Sequence, residues 1–225
     1  MPFPFRAVAA VALVVAACRA PVPDTGVREA CVVPRLAGQW RNTPSSARPA
    51  DPVPRPSVLP IPPLTDAEAA AAGDCIRPAL AAIAAKSDNA VLRESTAWPR
   101  FSRQFYASEH GRFIEVSGNA PASGYGRWED GPRLPIGAVV KKQSFHVLHS
   151  GEVRPDNQFL IERMPAGYDE RVGDWKYSAV GPDGVTIGES RGRNGDRVEF
   201  CVECHKSARR QDFLFFIPPD YRARS

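Results

Sequence analysis

The chain has 225 residues, with 29 Lys and Arg against 25 Asp and Glu and a formal net charge of +4. That small excess is scattered along the sequence, which argues for an ordinary solvated surface and against nucleic-acid binding. Once the export segment and the proline-rich stretch described below are set aside, the length suits one domain of about 125 to 160 ordered residues.

Arg6 followed by an apolar run over residues 7–17 has the make-up of a secretory signal and is too short to span a bilayer. The run ends Val15-Ala16-Ala17-Cys18, a lipobox-like ending in which Cys18 becomes the lipidated first residue of the mature chain. The alternative is an ordinary signal peptide cut nearby. Either way the expectation is export, with a periplasmic location and a membrane contact through a lipid anchor. In an oxidising compartment the two cysteines outside the lipobox and the C-terminal motif, Cys31 and Cys75, are expected to pair. A loop of about 45 residues closed in this way stabilises by roughly 4 kcal/mol on the chain-entropy estimate.

Residues 42–63 carry prolines at 44, 49, 52, 54, 56, 60, 62 and 63, which excludes regular helix or sheet. This stretch reads as a spacer, or as a strap if Cys31 and Cys75 are joined. Thr65 with Glu68 has capping-box spacing and opens an alanine-rich helix, expected to break near Gly73 and to resume through Cys75 to Lys86 with Pro78 in its first turn. After Trp98 the pattern changes to short β-branched and aromatic runs at 112–117, 137–148, 158–164, 174–180 and 185–190, divided by turn residues such as Pro182-Asp183-Gly184. Hairpins of this kind give a mainly antiparallel sheet and an α+β fold. The resulting division is 1–18 signal peptide and lipobox, 19–64 proline-rich linker, 65–97 helical segment and 98–225 sheet domain.

Residues 201–205 read Cys-Val-Glu-Cys-His. C-x-x-C-H is the attachment signature of c-type haem, in which two thiols add to the porphyrin vinyl groups and the adjoining imidazole binds the iron. On this reading Cys201 and Cys204 are the thioether anchors and His205 is the proximal ligand. A redox C-x-x-C and half of a zinc site are the alternatives. The first would need a βαβ setting, and the second would draw its missing ligands from His110, His146 or His149. Export favours haem, because c-type haem is attached on the far side of the inner membrane. Lys206, Arg209 and Arg210 beside the motif are candidate partners for haem propionates.

The ordered set of segments is similar to the cytochrome P-460 family and the related cytochrome c′-β. The matching residues are Arg112-Phe113-Ile114, Gly118-Asn119-Ala120, Pro135 to Lys142, Gly173-Asp174-Trp175-Lys176-Tyr177, and the haem motif with Asp212-Phe213-Leu214-Phe215-Phe216. The resemblance implies a homodimeric antiparallel-sheet cytochrome with one covalent haem c, open on its distal side. It also implies, for the hydroxylamine-oxidising members, a lysine cross-linked to the porphyrin edge. Counted from Gly137, Lys142 falls at that place. Alternation puts Val140, Lys142, Ser144 and His146 on one face of the strand and Val139, Lys141, Gln143 and Phe145 on the other, so a slip of one residue would exchange the two lysines. Glu162 and Arg112 are candidate distal groups, with a water-facing position as the alternative. Two functions follow: redox chemistry on a small nitrogen compound, hydroxylamine or NO, with a redox partner protein taking the electrons; or gas binding and electron transfer without catalysis. A zinc-stabilised lipoprotein without haem is the third reading.

Overall fold

The computed structural model describes residues 30–41, 64–108, 112–125 and 133–224. Cys18, His110 and the proline-rich residues 42–63 lie outside these. Six strands run in chain order as an antiparallel meander: β1 Tyr106–Ala107, β2 Phe113–Gly118, β3 Val139–Val147, β4 Val153–Arg163, β5 Trp175–Val180 and β6 Thr186–Glu189. Their turns fall where the sequence has residues that tolerate reversal. Gly151, at φ +85°, closes β3 onto β4, and Gly184, at φ +82°, closes β5 onto β6.

β4 starts five residues before the expected 158, although it contains Pro155. The ladder explains this. Its register shifts between Gln143 and Phe145, so β4 carries one extra residue opposite Ser144, whose hydroxyl donates to the Asn157 carbonyl at 2.6 Å. A bulge is one of the few places inside a sheet where proline fits, because its neighbours have already left the regular ladder.

Helices cover one face of this sheet. Helix α1 spans Pro34–Arg41, α2 Asp66–Lys86 and α3 Ala90–Glu94. The capping box at Thr65 is formed, with Glu68 N–H donating to the Thr65 hydroxyl and Thr65 N–H to the Glu68 carboxylate. The expected break near Gly73 does not occur; α2 is continuous. Gly73 instead meets the ring of Phe105 so closely that a Cβ there would lie 2.2 Å from Cδ2, so this glycine permits a close approach and does not end the helix. Pro78 stands inside α2 on its exposed side, where water can take the carbonyl left without a donor.

Ala72, Ile76 and Leu80 of α2 pack with Phe105, Phe113 and Phe145, while Ala84 and Leu92 meet Val139 and Leu160. The opposite face of the sheet, with Ile114, Val140, Ile161, Trp175 and Tyr177, is covered by Val202, Phe213, Leu214 and Ile217. The α+β expectation therefore holds, with the sheet between helices and the C-terminal segment. Residues 65–97 and the sheet share one core.

Cys31 and Cys75 are joined, with Cα atoms 5.8 Å apart. The linker expectation for 19–64 is corrected at 30–41. Val32 bridges Glu152, Val33 N–H donates to Gly151 O at 2.8 Å, Val33 and Leu36 are buried, and Arg35 pairs with Glu68 at 2.7 Å. Among the described residues no helix is long and apolar enough to cross a membrane.

Candidate functional site

After β6 a 3₁₀ turn, Gly195–Val198, leads into the short helix α4, Glu199–His205. Val202 is fully buried and holds α4 against Tyr177 and the C-terminal aromatic run. With that face fixed, Cys201 and Cys204 stand one turn apart as free thiols, the first half-buried and the second exposed. Burial pushes the Cys201 thiol up to about 11. A redox C-x-x-C needs the opposite shift in its attacking thiol.

His205 ends α4 and is 4% exposed. Past the 3₁₀ turn Lys206–Gln211, Asp212 and Phe213 both take left-handed backbone angles, at φ +54° and +61°, and the chain doubles back. This reversal aims the Phe213 carbonyl at His205 Nδ1, 2.6 Å away, while the rings of Tyr177 and Phe215 enclose the imidazole at centroid distances of 4.7 and 4.9 Å. A carbonyl can only accept, so the hydrogen bond places the proton on Nδ1 and leaves the Nε2 lone pair as the donor for a metal.

A cavity of about 280 Å³ lies between α4 and the sheet. Cys201, Cys204 and His205 line it from α4, Phe159, Ile161 and Tyr177 from the sheet, and Lys142 and Arg112 also border it. Phe200 stands 64% exposed at the same cavity. The position of Lys142 follows from register: it pairs with Val116 and Phe159, on the face turned toward α4. Lys141 faces the helices, where its ammonium donates to Ser95 O at 3.2 Å and burial, opposed in part by Glu115, brings its pKa down to about 8.

Arg112 Nε donates to Asp156 Oδ2 at 2.5 Å, and His146 Nδ1 lies 3.3 Å from the same oxygen. Burial raises the Asp156 carboxyl, but the adjacent His146 ring together with the hydrogen bonds from Arg112 and the Asn157 backbone outweighs it and holds the group at about 2. Glu162 does not border the cavity. Its ladder partners, Val139 and Lys176, place it on the opposite face, where Lys176 Nζ sits 3.2 Å from its carboxylate. The expectation of a distal role fails for Glu162 because Ile161 and Arg163, its neighbours along β4, take the other side.

His149 lies in the β3–β4 turn and does not line this cavity. Among the described residues no group of three or more His, Cys, Asp or Glu side chains is gathered to hold a metal ion; His110, one of the candidate zinc ligands, lies outside them. The donor set that is present, two thiols and an imidazole beside an apolar cleft, suits a covalently held porphyrin. A porphyrin is broader than this cavity, whose lining includes the exposed Phe200. Sequence reasoning missed the Phe213 carbonyl, since a main-chain acceptor leaves no side-chain signature. No family model matches the chain, and no curated protein matches it in sequence.

Proposed function

We propose that the chain is an exported c-type cytochrome with one haem, resembling cytochrome P-460, that carries out redox chemistry on a small nitrogen compound of the hydroxylamine or NO type. Cys201 and Cys204 supply the thioethers: each S–H adds across a vinyl group, sulfur to one carbon and hydrogen to the other, with no oxidant required. His205 supplies the proximal nitrogen. The observation that carries this reading is the Nδ1–H hydrogen bond to Phe213 O, which presents Nε2 from the same short helix as two unpaired thiols. The bound haem would supply one-electron chemistry and an iron site for a small ligand. Lys142, which borders the same cavity, would supply a cross-link to the porphyrin edge, and Arg112, paired with Asp156, would orient a ligand. The Cys18 anchor, a homodimer and an acceptor protein for electrons belong to the same proposal.

The test is the full chain made with the cytochrome c maturation machinery. A covalently bound haem, a ferrous Soret band strongly red-shifted from that of an ordinary c-type haem, and a tryptic peptide joining Lys142 to the porphyrin are the expected results. A colourless protein overturns the haem reading. An ordinary c-type spectrum that responds to NO overturns the enzymatic part and leaves a gas-binding cytochrome. His205→Ala should keep the thioethers and lose the wild-type iron coordination; unchanged coordination would remove His205 as proximal ligand.

A further inference from the structure

We propose that Asp212, clamped by Arg163, is a positioning residue for His205: it fixes the Phe213 carbonyl as hydrogen-bond acceptor and so sets the donor strength of the proximal imidazole, an inference that rests on the haem reading above. The turn that aims this carbonyl is costly. Asp212 and Phe213 are consecutive non-glycine residues at positive φ, and a bulky residue such as Phe rarely adopts that conformation unless its surroundings hold it there.

Beside the main-chain bond from Phe213 N–H to Ala208 O at 2.9 Å and the Tyr177 hydroxyl 3.5 Å from the Phe213 carbonyl, two side-chain contacts tie the turn down. The Phe213 ring lies against Gly173, where an added Cβ would come within 2.7 Å of Cε2. Asp212 Oδ1 accepts from Arg163 Nη1 at 3.2 Å, with Arg133 Nε 3.7 Å away. Arg163 is itself fixed: its side chain is 10% exposed, its guanidinium sits 5.3 Å over the Trp175 ring, and its backbone belongs to β4. The clamp therefore ties the turn to the rigid part of the sheet.

The ion pair is an inefficient way to stabilise a fold. Asp212 Oδ2 is buried with no hydrogen-bond partner among the described residues, and an unmet buried acceptor opposes folding. Its position is accounted for by what it fixes. A carbonyl held firmly on Nδ1–H makes Nε2 a stronger donor, which stabilises ferric over ferrous iron and strengthens the iron–histidine bond.

Asp212→Ala removes the clamp and puts a residue ill-suited to positive φ in the turn; Asp212→Asn removes the charge but tolerates the turn. Nitrogen-15 NMR of the full chain before haem attachment reads the His205 tautomer. The wild type should be wholly Nδ1–H, Asp212→Ala a mixture, and Asp212→Asn intermediate. In the haem-loaded protein Asp212→Ala should lower the iron–histidine stretching frequency and raise the ferrous-to-ferric ratio several-fold at a fixed poise. Should Asp212→Ala not fold, Arg163→Gln, which leaves the turn sequence intact, is read in the same way. An unchanged tautomer and stretching band in a folded variant overturns the proposal, as does a wild-type His205 without the Nδ1 proton. A chain that takes no haem sinks the haem reading, and the tautomer measurement still decides the clamp.

Discussion

Lys141 and Lys142 are neighbours with opposite surroundings, and the difference has a measurable consequence. Lys141 is 5% exposed, faces the helices and has its pKa lowered to about 8. In the unfolded chain it should titrate near 10.4. Below pH 8 both states hold the proton and Lys141 contributes no pH dependence. Between about 8 and 10.5 the unfolded chain keeps a proton that the folded chain has released, so stability contributed by this group rises with pH. The gain should be on the order of 1 to 3 kcal/mol, since each pKa unit corresponds to about 1.4 kcal/mol. Urea midpoints at pH 7, 9 and 10 for the wild type and Lys141→Met give the check, because the difference between the two isolates Lys141 from the tyrosines that titrate in the same range. A difference that does not change with pH would show that Lys141 titrates normally in the fold.

At the scale of elements, α2 depends on Gly73. Replacing a helical glycine by alanine ordinarily stabilises by about 1 kcal/mol. Here the new methyl would meet Phe105, which is fully buried and packed at 5.0 Å on Phe145, so the ring cannot swing aside cheaply. Gly73→Ala should therefore lower stability by roughly 1 to 3 kcal/mol, the usual range for overpacking, seen as a lower urea midpoint. A midpoint equal to or above the wild type would mean that the helix shifts to make room. The same position shows why the sequence was legible only in part. Thr65 and Glu68 announce the start of α2 because their side chains make the cap, whereas Gly73 looks like a breaker until its contact with Phe105 explains it, and Pro78, expected in a first turn, stands in mid-helix on the exposed side. The sequence hides the start of the strand containing Pro155, because the bulge that admits the proline is set by pairing with β3. In the site, Cys201, Cys204 and His205 were visible because their side chains carry the chemistry. The face that Glu162 takes depends on a register that its own strand does not encode, and the Phe213 carbonyl carries no side-chain signal.

On the scale of the whole molecule, the disulfide changes the meaning of the proline-rich stretch. Residues 30–41 are tied to α2 through Cys31–Cys75 and to the β3–β4 turn through Val33 and Gly151, and the chain re-enters the fold at Leu64 beside the same helix. Both flanks of residues 42–63 thus belong to one body. A protease site built into 42–63 tests this directly. After cleavage the N-terminal piece should remain attached, running as one species on a non-reducing gel and as two once reduced. In the uncut chain, Cys31→Ser with Cys75→Ser should lower stability by about 2 to 4 kcal/mol, the typical effect of removing such a cross-link. In the cut chain the same reduction should be far more damaging, since nothing covalent then keeps Val33 and Leu36 in the core formed with α2 and Phe145. Pieces that separate without reductant would show that Cys31 and Cys75 are not joined and would restore the reading of 19–64 as a spacer.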